Sequence, residues 1–144
     1  MDDEALRSQI ADGTKTDRWH LAGKEGLPAW AYRALLNTGE SEVIASLVQN
    51  PGCDPDVLDE IANRNGESLA QYARINPNAR PETKDPSPAG SHSTRSIDLY
   101  LTARNATIDQ RRSFAERYKQ SPVSGGPLIG EIWQSVLSEG ERDA

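Results

Sequence analysis

Side chains able to do acid–base, nucleophilic or metal chemistry are sparse in this chain of 144 residues, which holds two histidines and one cysteine. His20 and His92 are far apart in sequence and Cys53 stands alone, so no cysteine cage and no histidine pair at i and i+4 is available to a metal. Asp54, Asp56, Asp59 and Glu60 crowd one helix start, where the helix dipole favours negative charge. Their spacing is not that of a calcium loop, and capping with solvation accounts for them. No Gly-rich phosphate loop ends in Lys-Ser/Thr, and no Gly-x-Ser-x-Gly elbow occurs. Ser124-Gly125-Gly126-Pro127 could aim amides at an anion ahead of a helix, but Gly-Gly-Pro is first of all a turn. The expectation is a protein that is not an enzyme and that needs no cofactor and no metal.

Arg104, Arg111, Arg112, Arg117 and Lys119 form a basic concentration, offset by Asp109 and Glu116. Phosphate contacts from this face would make a nucleic-acid-binding protein. A solvated outer helix face is the simpler account. The net charge of −6 lies in the front of the chain, where the first 60 residues hold 12 acidic and 5 basic side chains. That asymmetry repels nucleic acid and anionic membranes from the first half. The longest apolar run falls far short of the roughly 20 residues a bilayer span needs. Asp2, Asp3 and Glu4 do not make the basic start of a signal peptide. A cytoplasmic protein with no membrane partner is expected, with Cys53 a small buried or half-buried residue in a repeat loop.

The elements that must position anything functional come from a near repeat. Gln49-Asn50-Pro51-Gly52-Cys53-Asp54-Pro55 returns as Ile75-Asn76-Pro77-Asn78-Ala79-Arg80-Pro81, with Asn-Pro and the second proline displaced by 26 residues. Asn-Pro ends helices, because the residue before proline is pushed out of the α region and proline cannot donate the next backbone hydrogen bond. Pro28 and Pro55 each open a helix, carrying Trp30, Ala31, Ala34 and Leu35 in one case and Val57, Leu58, Ile61 and Ala62 in the other. Gly39-Glu40-Ser41 and Gly66-Glu67-Ser68 turn into second helices, with Val43, Ile44, Leu47 and Val48 on one face of the first and Leu69, Ala70 and Ala73, with Tyr72 beside them, in the second. The unit is helix, Gly turn, helix, Asn-Pro turn, and a third unit stops at Glu82-Thr83-Lys84-Asp85-Pro86.

Ahead of the repeats, Asp3 to Asp12 reads as a helix and an end cap, and Thr16 to Ala22 as a second helix with Thr16 as N-cap and Trp19 as inward anchor. Residues 84–96 hold no hydrophobic side chain larger than alanine and read as a flexible linker or loop, with His92 solvated. Helices resume at 97–140: an Ile97, Tyr100, Leu101 stripe, a helix capped by Thr107 and Gln110, and one from Pro127 to Gly140 carrying Ile129, Ile132, Trp133, Val136 and Leu137. Residues 141–144 are expected as a disordered tail. The simplest arrangement folds the C-terminal helices back so that Trp133 covers the second repeat; the alternative leaves them as a separate arm.

Leu47, Asn50, Pro51, Pro55, Leu58, Ile61, Ala62, Ala73, Asn76, Pro77 and Pro81 give residues 20 to 83 a pattern that resembles the leucine-rich-repeat-variant group of bacterial helical repeats, a HEAT-like family. The resemblance implies a right-handed helical stack and a binding or scaffolding role. Some relatives carry a cysteine-rich iron–sulfur segment, which one cysteine cannot supply. The expected whole is all-α: residues 1–83 as N-terminal helix and repeats in a short right-handed stack, and 97–140 as a C-terminal helical cap. Its expected role is a non-catalytic protein–protein interaction or scaffold module whose contact residues are Trp30, Tyr32 and Tyr72, with Arg111 and Arg112 for the nucleic-acid alternative.

Overall fold

The computed structural model describes residues 2–64 and 68–143, with side chains through Glu141. Those residues form an all-α structure of ten helices: α1 (Asp3–Asp12), α2 (Lys15–Ala22), α3 (Ala29–Asn37), α4 (Ser41–Gln49), α5 (Pro55–Ala62), α6 (Leu69–Arg74), α7 (Pro81–Lys84), α8 (Thr94–Ala103), α9 (Ile108–Lys119) and α10 (Ile129–Asp143). A short 3-10 turn spans Ala89–Ser91. Gly66 and Glu67 of the second Gly-Glu-Ser turn lie outside the described residues.

Helices α1, α3, α5 and α7 begin at residues 3, 29, 55 and 81, a constant step of 26 that starts at the N-terminal helix. Helix α1 is thus in phase with the repeats. The odd-numbered helices α1, α3, α5 and α7 touch in series, as do α2, α4 and α6, while α1–α2, α3–α4 and α5–α6 pack as pairs. One apolar core runs through these pairs, from Leu6 and Ile10 through Leu35, Leu36, Leu47 and Val48 to Leu58 and Ile61.

The Asn-Pro turns are joined to one another by their asparagine side chains. Asn50 Nδ2 donates to the carbonyls of Ala22 (2.9 Å) and Lys24 (2.8 Å), and its Oδ1 accepts from Gly52 N (2.9 Å). Asn76 repeats the pattern 26 residues on, donating to Val48 (2.9 Å) and Asn50 (2.9 Å) and accepting from Asn78 N (2.8 Å). Both asparagines are buried. Each satisfies both its own donors and the orphan carbonyls at the end of the preceding even-numbered helix. Cys53 and Ala79 occupy the same position in successive turns, each donating its amide to the asparagine carbonyl (3.0 Å). The Cys53 thiol is fully buried and burial pushes its pKa up to about 12, as suits a packing residue.

Several local expectations need correction. Thr14, not Thr16, caps α2, in a reciprocal box with Asp17. That phase turns Leu21 and Ala22 inward and leaves Trp19 47% exposed rather than anchored in the core. Arg18 reaches back instead, donating to the Gly13 carbonyl (2.6 Å) and pairing with Glu40. That pair holds the Glu40 carboxyl below its usual range and the Arg18 guanidinium above. Helix α10 begins at Ile129, after Pro127, and continues through Gly140 to Asp143, so residues 141–143 are helical. Gly140 is not among the glycines with positive φ and so makes no left-handed C-cap.

Residues 84–96, expected as a solvated linker, bury Lys84, Ser87, Ala89, His92 and Ser96. Polar composition does not prevent burial when each polar group finds a partner, and here they do. The segment is tied to the last helix by Ala89 N to Pro127 O (3.0 Å), Ile129 N to Ser87 O (2.8 Å) and Gly130 N to Asp85 O (3.1 Å). Beyond it, Tyr100, Leu101, Phe114, Ile132, Trp133 and Val136 build a second core. Trp133 meets Tyr100 edge-on at 6.4 Å, so α8 and α9 cover its stripe rather than the second repeat.

Replacing Asn76 by alanine is expected to leave two buried carbonyls and one amide without their partner, at a cost of about 2–4 kcal/mol. Urea unfolding should show the midpoint falling while the slope is unchanged; an unaltered midpoint would mean the interturn bonds contribute nothing.

Candidate functional site

The residues expected to meet a partner are spread over three elements. Trp30, on α3, is half-buried against the first core with the Arg7 guanidinium 4.1 Å from its ring centroid. Tyr32 is buried in that core, and its hydroxyl donates to the Lys24 carbonyl at 2.5 Å. It is a structural residue and presents no surface, because the Pro28-led helix turns it to the side that Leu6 and Leu58 occupy in neighbouring units. Tyr72, on α6, stands 52% exposed. Arg111 pairs with Asp98 (2.8 Å) and donates to Thr102 Oγ1 (2.7 Å), while Arg112 lies 3.7 Å from Asp109.

The other cations of that stretch are paired too. Arg104 is held by Asp85 (2.5 Å), Arg117 by Glu139 (2.9 Å) and Lys119 lies 4.0 Å from Glu116. A face in which each cation has a carboxylate beside it offers phosphates little net attraction. The acidic crowd at the start of α5 is likewise engaged. Asp54 caps the helix through Asp56 N, Asp56 pairs with Arg80, Glu60 with Arg33, and Asp59 accepts from Thr83 Oγ1 at 2.9 Å. Among the described residues no three His, Cys, Asp or Glu side chains come together as a metal site requires. Nor is any helix there long and apolar enough to cross a membrane.

Two surface features remain. The exposed side of α2, α4 and α6 carries Trp19, Ala45 and Gln71 at 26-residue steps, and His20, Ser46 and Tyr72 beside them. Large rings thus stand at the two ends with small side chains on the helix between. The His20 ring packs edge-on against Trp19 at 4.9 Å, and surface concavities flank Trp19 on its Lys15 and Ser46 sides. The second feature is a cleft of about 450 Å³ where α6 meets residues 86–91 and the 124–125 turn. Tyr72, Arg74 and Ile75 form one wall, Pro86 and Pro88 another, and Ser124 with Gly125 the third. Ser91 closes the junction by donating to the Val123 carbonyl at 2.7 Å. Gly90 lets the two loops meet: a Cβ there would lie 1.8 Å from the Pro122 carbonyl oxygen.

Behind the cleft lies a buried polar group that sequence reasoning missed. Lys84 is 26 residues after Leu58, itself 26 after Tyr32, so it takes a core position, and it is 1% exposed. Its ammonium donates to the carbonyls of Pro77 (2.8 Å) and Ser96 (3.0 Å). Burial lowers its pKa to about 8. Ser87 Oγ donates to the Lys84 carbonyl at 2.5 Å, which leaves its lone pairs to His92 Nε2–H at 2.7 Å. His92 Nδ1 then accepts from Ser96 Oγ at 2.8 Å. The network assigns the Nε2–H tautomer of a neutral ring and turns an N–H, not a lone pair, toward Ser87, the opposite of what activates a serine nucleophile. Burial, with Lys84 adding repulsion, drives the His92 pKa down to about 4. The signal in the sequence was a lysine in register with Leu58 and Tyr32.

Asp85 completes the junction, accepting from Tyr100 Oη (2.6 Å) and pairing with Arg104. Burial, followed by the bond to Asp85, pushes the Tyr100 phenol well above its ordinary pKa. Compared with protein-family models, curated proteins and solved structures, the chain gives no significant match to any of them.

The buried network makes stability depend on pH. Between pH 6.5 and about 4 the unfolded chain binds a proton that folded His92 refuses, so stability falls with falling pH through that window. The full effect is about 3 kcal/mol at 1.36 kcal/mol per pKa unit. For Lys84 the window runs from about 8 to 10.5, and stability rises with pH across it for the same reason. Denaturant midpoints of wild type and His92→Gln measured from pH 7 to 4 should converge as pH falls; parallel curves would show that His92 does not titrate as placed.

Proposed function

We propose that this chain is a non-catalytic protein–protein interaction module: a short right-handed stack of helical-repeat units with the three C-terminal helices as its cap, binding a protein partner through the exposed side of α2, α4 and α6. The observation that carries this reading is the pair of large aromatic side chains there, Trp19 at 47% and Tyr72 at 52% exposure, set either side of the small residues Ala45 and Ser46. Aromatic side chains beside shallow concavities are the usual anchors of protein interfaces, because they bury much area with few rotamers to freeze. The 26-residue step of helix starts and the serial contacts within each row of helices support the repeat architecture, as does the resemblance to leucine-rich-repeat-variant units. The alternative, nucleic-acid binding through Arg104–Lys119, loses ground to the carboxylates paired with those cations. A cytoplasmic setting belongs to the same reading and fits a single thiol that is buried.

The test compares proteins captured by the immobilised wild type with those captured by a Trp19→Ser, Tyr72→Ser double variant and by an Arg111→Glu, Arg112→Glu variant. Loss of two aromatic anchors should weaken the specific partner by about tenfold or more, and the arginine reversal should leave it in place. Both aromatic positions are exposed, so circular dichroism should report an unchanged fold. Equal capture by the wild type and the aromatic variant would overturn this surface.

A further inference from the structure

We propose that the cleft between α6, residues 86–91 and the 124–125 turn is a binding site for a small ligand that carries a phosphate or carboxylate on an apolar body. The proposal is separate from the partner-binding reading and shares only Gln71 and Tyr72 with it. This chain has 22 acidic side chains and a net charge of −6, yet among the described residues the walls of the cleft hold no Asp or Glu and one cation, Arg74. Arg18, Arg33, Arg80, Arg104, Arg111, Arg112 and Arg117 each have a carboxylate within 4 Å. Arg74 is half-buried and bonds a carbonyl instead, through Nη2 to Ala62 O at 2.6 Å. One edge of the guanidinium is thereby positioned by the protein, and its remaining N–H groups have no carboxylate counter-ion among the described residues. A planar fork held in this way suits a carboxylate or phosphate better than a mobile surface lysine would.

Three residues of the same lining, Gln71, Tyr72 and Ser124, carry neutral polar groups able to hydrogen-bond a ligand. The apolar body would meet Ile75, Pro86, Pro88 and the ring of Tyr72. At about 450 Å³ the cleft lies within the range of roughly 300–1,000 Å³ that small-molecule sites occupy. Its walls come from the end of the first core, the 84–96 segment and the loop before α10. The Ser87–His92–Ser96 chain stiffens the middle wall from behind, since Ser87 lines the cleft and is fixed through both its donor and its acceptor.

The experiment is a 15N-resolved NMR titration of the full chain with phenyl phosphate, benzoate and, as the uncharged control, phenol. Saturable shifts at the amides of 71–75, 91 and 124–125 with both anions, and none that saturate with phenol, are the expected result. Arg74→Gln should weaken the anions by about tenfold or more, as loss of a charge-assisted contact does. Because Arg74 also holds the Ala62 carbonyl, Gln71→Glu serves as a second variant: its side chain is exposed, the fold should survive, and the added charge should weaken both anions similarly. The proposal is overturned if phenol binds as the anions do, if the shifts centre on Arg112 and Lys119, if no shift saturates, or if Gln71→Glu binds unchanged.

Discussion

The interaction on which the first 80 residues depend is the pair of asparagine side chains that stitch each Asn-Pro turn to the turn before it. A helix that stops at proline leaves carbonyls without partners, and in a chain of short helices such ends recur every dozen residues or so. Asn50 and Asn76 convert that liability into a connection, because a carboxamide offers two donors and an acceptor from one planar group. The bonds run from one unit to the next and fix the 26-residue step at the turns, while Leu, Val and Ile fix it at the core. Ion pairs on the surface also join successive units, with Arg33 reaching Glu60 and Arg80 reaching Asp56. Those pairs are half-exposed and contribute little beside the buried bonds.

Lys84 marks where this regularity ends. A position that holds Leu6, Tyr32 and Leu58 in three successive units receives an ammonium, and a buried charge must find acceptors or leave. It finds Pro77 O on the repeat side and Ser96 O at the start of α8, so the residue that breaks the apolar pattern also joins the two cores. His92, Ser87 and Ser96 satisfy one another around it, and Asp85 carries the same junction outward to Tyr100 and Arg104. The Arg104 Nε remains buried without an acceptor, the one such side-chain atom among the described residues. The coupling between the halves is therefore largely polar and directional, which fixes their register more sharply than apolar contact would.

Charge is neutralised locally on much of this surface, with Arg104, Arg111, Arg112 and Arg117 each beside a carboxylate. What stays open is a row on α2, α4 and α6 that is exposed at Trp19 and Tyr72 and half-buried at Ala45 and Ser46, and a cleft beside Tyr72 whose arginine has no acidic neighbour among the described residues of its walls. The two features lie next to each other because α6 is the last helix of its row and the 84–96 segment folds against its end.

Much of the fold was legible in the sequence for a physical reason. Proline and asparagine act on the backbone within a residue or two, so the turns and the helices they bound follow from residue order, as do Gly13 and the Thr107–Gln110 box. Leu6 with Ile10, and Ile129 with Trp133 and Val136, likewise name their buried faces by period alone. The site was far less legible. Tyr32 and Trp19 exchanged the inside and outside that sequence assigned them, because the two-residue shift of a cap rotates a short helix and neighbouring units decide which face is covered. The burial of Lys84 and His92 could not be read from a segment so polar, since whether a polar group can leave water depends on acceptors up to 12 residues away that only tertiary packing supplies. Sequence by itself determined the repeating helical unit and its turns, which are set by local backbone chemistry. Tertiary structure alone decided which aromatic rings face solvent and which arginine stands in the cleft, because both depend on what other segments bring within reach.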